Sequence, residues 1–282
     1  MALKQLKSAL INLYDRLTAK TAMISIGDIV NQRTDIENNQ FLLTTRLLDI
    51  EDYCEHGIET FNWQNTISRK AYGERHREQD GNNAFSKLIN SYRECGYNDS
   101  SYFVVDSDLR LLDGNHRMGM NLYMGIDAIN VRILKRKSRN PKALDWYLKV
   151  GLKTEFIESV TEKFAALQKK MMDTGNVFCA VVSDEKLAQD ISFLARKVRI
   201  DRYDNLPADS AGGGYSIPSR GLLIRFTLHE PGYYVADGKV CSKRVEEIKT
   251  VIQARTGRPV IMSQNCLEGK EIFEVIKPYI GK

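Results

Sequence analysis

Residues Tyr102 to Leu134 read YFVVDSDLRLLDGNHRMGMNLYMGIDAINVRIL, and the apolar period changes twice along them. Tyr102 to Val105 alternates as a strand, Asp106-Ser107-Asp108 forms a turn, and Leu109 to Leu112 supplies a second strand, which together predict a hairpin. The strand breaks at Asp113-Gly114. From Asn115 the spacing of Met118, Leu122 and Tyr123 is helical up to Gly125, and Ile129 to Leu134 returns to a strand. Upstream, Phe85, Leu88, Ile89 and Tyr92 mark one face of a helix that stops at Gly96. This region therefore reads helix, hairpin, helix, strand.

Around that block, 282 residues with 43% hydrophobic and 27% charged side chains suffice for two ordinary domains. No apolar run reaches the roughly 18–20 residues of a membrane span, and the first residues lack the uninterrupted apolar stretch of a signal peptide. A cytoplasmic protein is expected. Cys54, Cys95, Cys179, Cys241 and Cys266 include no Cys-x-x-Cys pair and read as reduced thiols. The charge of +5, from 41 basic and 36 acidic residues, is too balanced for a DNA-binding stripe, so no specific DNA partner is expected. Lys135-Arg136-Lys137 with Arg139 is one local basic cluster, either a solvated connection or an anion contact.

At the amino terminus, Leu3, Leu6, Leu10, Leu13 and Leu17 define an amphipathic helix that needs a partner surface, in the domain core or in a second copy of the chain. Met23 to Val30 reads as a strand, Leu47 to Cys54 as a helix and Ser68 to Asn83 as a polar loop. After Asn140-Pro141, apolar positions from Leu144 to Met171 repeat at helical spacing until Gly175-Asn176. Strands at Val177–Val182, Lys197–Ile200, Leu222–Leu228 and Pro259–Met262 follow. They accompany a loop at Asp209–Gly214 and a helix around Val245 to Ile252, for which Ser242 is a plausible start. The fold class is α/β (α+β): a domain over residues 1–140, a helical bridge over 141–175, and a smaller α/β domain over 176–282 without a catalytic motif.

The chemistry gathers at Asp113-Gly114-Asn115-His116-Arg117. Gly114 permits a sharp turn, Asn115 is a good N-cap, and a helix amino terminus carries partial positive charge with unpaired N–H donors that suit a phosphate. Arg117 can add a charge-assisted fork and His116 a donor. Asp113, at the strand end, would lie beside that phosphate, able to orient a hydroxyl, take its proton or hold magnesium. The same residues also make an ordinary capped turn.

The stretch from Tyr102 to Leu134 resembles the ParB/sulfiredoxin-like superfamily, in which a Gly-x-x-Arg turn opens a helix and contacts phosphate. The resemblance reaches back to Met23-Ile24-Ser25-Ile26 and covers about the first half of the chain. Sulfiredoxins carry a Gly-Cys-His-Arg turn, and Asn115 here stands where their cysteine would be. ParB proteins, which bind CTP, carry Gly-Glu-Arg-Arg and continue into a helix-turn-helix region that the strand-rich second half does not match. The turn is most similar to the Asp-Gly-His-His-Arg of the free serine kinases, agreeing at Asp113, Gly114, His116 and Arg117.

That branch implies a catalytic aspartate, here Asp113, a turn that holds nucleotide phosphates, and a glutamate from earlier in the domain. Glu51 and Glu55 are candidates for the glutamate, although Thr44 and Thr45 before acidic residues also read as helix capping. Arg46 and Arg75 are candidate substrate contacts. The expectation is a kinase using ATP or ADP, or CTP, with Mg2+, and phosphorylating a hydroxyl of a sugar or amino-acid-like acceptor. The pairing of domains also resembles proteins associated with bacterial surface-polysaccharide enzymes. The alternative is a noncatalytic nucleotide-sensing or nucleic-acid-binding regulator.

Overall fold

The computed structural model describes residues 11, 13–31, 38–60, 81–98, 101–137, 148 and 154–281. It is a mixed α and β protein in which two four-stranded sheets are surrounded by helices. No helix among the described residues is long and apolar enough to cross a membrane. Leu3, Leu6, Leu10, Leu144, Leu152 and Arg75, with most of the expected polar loop, lie outside these residues. Residues 13–18 are helical, with Leu13 and Leu17 exposed at 53% and 77%.

Strand β1 (Lys20–Ser25) buries Ala22 and Ile24 while Met23 faces outward, the alternation of a sheet with one covered face. The expected strand over Met23–Val30 ends early, because Ser25 Oγ accepts from the Gly27 amide at 2.9 Å and caps helix α1 (Ile26–Val30). All five residues of α1 are buried, and a short apolar run covered on every side has no period that separates strand from helix. A Cβ on Gly27 would lie 2.3 Å from the Asn176 carbonyl oxygen, so only glycine lets α1 approach the second half of the chain so closely.

Helix α2 (Asn38–Thr60) extends well beyond the expected 47–54, and α3 (Gly81–Cys95) follows. The hairpin, helix and strand then appear as β2 (Phe103–Val105), β3 (Leu111–Asp113), α4 (Asn115–Met124) and β4 (Ala128–Ile133). The sheet order is β1-β4-β2-β3, with β2 parallel to β4 and the other pairs antiparallel. Gly125, at φ 73°, closes α4 by donating to the carbonyls of Asn121 and Leu122.

Helix α5 (Thr154–Asp173) buries Val160, Phe164, Leu167 and Met171 along one stripe. After it come β5 (Phe178–Val182), α6 (Glu185–Leu194), β6 (Arg196–Tyr203), the small hairpin β7–β8 (Ala211–Gly212 and Tyr215–Ser216) and β9 (Gly221–Thr227). The chain continues through the hairpin β10–β11 (Tyr233–Ala236 and Lys239–Ser242), α7 (Lys243–Thr256), β12 (Ile261–Met262) and α8 (Cys266–Ile276). The second sheet, β12-β5-β9-β6, is antiparallel throughout. Its inner strands are covered on both faces: Cys179, Val181 and Leu223 pack with Ile272, Phe273 and Ile276 of α8, and Phe178, Ala180, Ile224 and Phe226 turn the other way. Asp209–Gly214, expected as a loop, forms part of the β7–β8 hairpin, whose glycines let its backbone lie against α8.

The two halves share one core. Ile24, Ile26, Phe103 and Met118 from the first belong to the same buried cluster as Phe178, Phe226, Tyr233 and Val245 from the second. Polar contacts cross the same boundary. Ser25 Oγ bonds to Asn176 Oδ1, Lys270 to Asp127, and the Asp28 carboxylate accepts from the Tyr233 hydroxyl at 2.8 Å and the Cys266 amide at 3.0 Å.

Candidate functional site

The turn between β3 and α4 differs from the sequence expectation in who caps the helix. Gly114 is the N-cap, in the left-handed conformation at φ 96°, and with no side chain it makes no capping bond. Asn115 is the first helical residue, and its Oδ1 is buried without a hydrogen-bond partner. A Cβ on Gly114 would meet the Phe103 ring at 2.7 Å, so the backbone rests directly on that side chain. The Asp113 carboxylate, exposed at the strand end, accepts from the Gly114 amide at 2.8 Å. The helix start therefore lacks the side-chain cap expected from Asn115 and stands beside a solvent-facing carboxylate.

Arg117 is turned backward rather than out as a free fork. Its Nη1 donates to the Ser101 hydroxyl and Nη2 to the Tyr102 carbonyl at 3.2 Å, while the guanidinium lies 4.7 Å from the centre of the Phe103 ring. Nη2 is also 3.2 Å from where a Gly114 Cβ would stand, so the positive charge borders the turn although both terminal nitrogens already donate to Ser101 and Tyr102. His116 is largely buried, and burial followed by the nearby Arg46 charge lowers its pKa from 6.5 to about 3. It is a neutral imidazole at physiological pH, able to donate one hydrogen but adding no charge.

Arg46 joins His116 because α2 packs across α4, where Gly119 lies against Ile50 and the Arg46 backbone. Arg46 is buried and 3.7 Å from the Asp49 carboxylate, one turn further along the helix. Glu51 is not brought to the turn: it points to α5 and pairs with Lys163 at 2.5 Å. Glu55 lies near Tyr123, at the far end of α4 from Gly114. The structure therefore gathers Asp113, Gly114, Asn115, His116, Arg117 and Arg46, and directs both candidate glutamates elsewhere.

Phe103, the floor of the turn, and Tyr92, whose hydroxyl senses Arg117 while burial lifts it to about 12, are legible in the sequence only as strand and helix positions, not as neighbours of the turn. Each reaches the turn through tertiary packing, which no local motif announces. No group of three or more His, Cys, Asp or Glu side chains that could hold a metal ion occurs among the described residues, and Asp113 is the carboxylate identified at the turn. The α4 amino terminus carries partial positive charge and has no side-chain cap, chemistry that suits an anion. The chain matches no protein-family model, no curated protein and no solved structure.

Proposed function

We propose that the chain is a phosphotransferase that seats the phosphates of a nucleotide, ATP or ADP, at the β3–α4 turn and passes a phosphoryl group to the hydroxyl of a small sugar or amino-acid-like acceptor. The observation that carries this reading is the uncapped, left-handed Gly114 between an exposed Asp113 carboxylate and a helix amino terminus. The similarity of Asp113-Gly114-x-His116-Arg117 to the serine-kinase turn supports it. In this reading the amides of the first α4 turn receive phosphate oxygens, with Arg117 supplying charge from behind. Asp113 orients the acceptor hydroxyl and takes its proton. Magnesium arrives with the nucleotide, and Asp113 is the one protein carboxylate identified at the turn to meet it. The exposed Leu13 and Leu17 suit a second copy of the chain.

A noncatalytic, nucleotide-sensing role is the second reading, favoured by the pairing of Glu51 with Lys163, which leaves Asp113 without the partner glutamate that the resemblance implies. Asp113→Asn separates the two. The substitution keeps an acceptor for the Gly114 amide, so nucleotide affinity should hold while phosphoryl transfer falls by about 10²–10⁴-fold. Calorimetric titration with ATP, and phosphate transfer to a panel of hydroxyl acceptors, read the two quantities. Wild-type binding without transfer to any acceptor favours the sensor, and no nucleotide binding at all removes both readings.

A further inference from the structure

A cleft of about 230 Å³ opens at the end of the first sheet where β1 begins and β4 ends, walled on its other side by the β10–β11 hairpin. It is a different place from the phosphate turn: Leu109, on its wall, is four residues from Asp113, roughly 10 Å or more along an extended chain. Lys20 lies opposite Ile133 in the β1–β4 ladder, and Lys135 follows two residues later, so both lysines line the same opening.

The lining is divided by chemistry. Leu109, Ile133, Val235 and Val240 are aliphatic. The two tyrosines present carbon, because the Tyr233 hydroxyl is given to buried Asp28 and that of Tyr234 to Glu246. Leu109 is held at φ 58°, a left-handed conformation unusual for leucine, by a turn in which the Asp106 carboxylate accepts from the Asp108 and Arg110 amides. Leu109 is at the same time fully buried in the main core, so the cleft reaches down to core side chains at this point.

Basic side chains gather at the rim, with Asp106 and Glu230 also near Lys137. Arg136 and Lys137 are matched by Asp15 at 2.9 Å and Asp108 at 3.1 Å. Among the described residues neither Lys20 nor Lys135 is paired with a carboxylate; Lys20 donates to the Val235 carbonyl at 3.1 Å and has two further hydrogens. Two ammonium groups over an apolar cleft suit a molecule with an anionic head and a hydrocarbon body. The volume lies below the roughly 300–1,000 Å³ of drug-sized sites, which limits the body to about six carbons or a single ring.

We propose that this cleft binds a small monocarboxylate with an apolar tail, the carboxylate held between Lys20 and Lys135 and the tail against Leu109, Ile133, Val240 and the Tyr233 ring. The site is independent of nucleotide binding at Gly114. Saturation-transfer NMR and calorimetric titration of the full chain with sodium hexanoate test it, with 1-hexanol and inorganic phosphate as controls. Hexanoate should bind at least tenfold more tightly than 1-hexanol, and phosphate should not displace it. The variant Lys20→Gln/Lys135→Gln, altered only at exposed positions, should keep its circular dichroism and its affinity for 1-hexanol while losing at least tenfold in affinity for hexanoate. Absence of hexanoate binding at millimolar concentration, equal affinity for the alcohol, displacement by phosphate, or an unchanged double variant would each overturn the assignment.

Discussion

Two nitrogens of Arg117 are given to Ser101 and Tyr102, so this side chain anchors the start of β2 as well as bordering the turn. Arg117→Ala should therefore weaken nucleotide binding by about 1.5–3 kcal/mol and also destabilise the fold by about 1–3 kcal/mol. Calorimetry and denaturant unfolding measure the two losses, and a fully stable variant would show the anchorage to be idle. Two groups shifted by desolvation make stability depend on pH with opposite sign. Burial raises Asp28 from 3.8 to about 6, against hydrogen bonds from Cys266, Tyr233 and Ser25, so its contribution to stability falls as pH rises from about 4 through 6. His116, lowered to about 3, costs stability in the other direction, as pH falls from 6.5 toward 3. In Asp28→Asn the new amide stands where Oδ2 has no partner, which offsets part of a gain of at most about 3 kcal/mol at neutral pH. The slope is the firmer prediction: relative to the parent, the variant should lose ground steadily as pH falls from about 6 to 4. Urea unfolding at several pH values reads it, and a constant difference would show that Asp28 titrates normally.

At the scale of elements, the hairpin, α4 and β4 were legible because each has a clear apolar period and the Asp-Gly break separates them. Helix α8 was not read, although its signals are present. Asn265 caps it by accepting from the Glu268 amide at 2.8 Å, the Glu268 carboxylate accepts from the Gln264 amide at 2.8 Å, and Cys266, Gly269, Ile272, Phe273 and Ile276 are buried. Gly269 hides the pattern, since glycine weakens a helix, yet a Cβ there would lie 2.0 Å from the Val177 carbonyl oxygen. The site divides in the same way. Asp113 to Arg117 are neighbours in sequence and could be read together, whereas Arg46 and Phe103 arrive by packing, and the pairing of Glu51 with Lys163 depends on where α5 docks. Asn265 also donates to the Val240 carbonyl at 2.8 Å, tying α8 to β11. Asn265→Ala should accordingly cost about 1–2 kcal/mol, at the upper end for a helix cap. Denaturant unfolding checks this, and a loss within ±0.5 kcal/mol, the range of an uninvolved surface change, would mean that the cap contributes nothing.

Across the whole molecule, the shared core makes the two sheets interdependent. A single calorimetric transition is expected, because unfolding either half would expose apolar side chains on which the other packs. Two resolved transitions would instead reveal separately stable domains. Arg225 illustrates the integration: buried on β9, it bonds to Asp201 at 2.6 Å and caps α5 through the Met172 carbonyl at 2.6 Å, over the Phe273 ring of α8. The central claim is that the β3–α4 turn, joined to this core through Phe103 and Met118, receives nucleotide phosphate. Hydrogen–deuterium exchange of the full chain with and without Mg-ATP reports on every described element at once. The account predicts added protection in the peptide covering Asp113 to Met118, where α4 begins. Saturating nucleotide that protects other segments and leaves this peptide unchanged would contradict it.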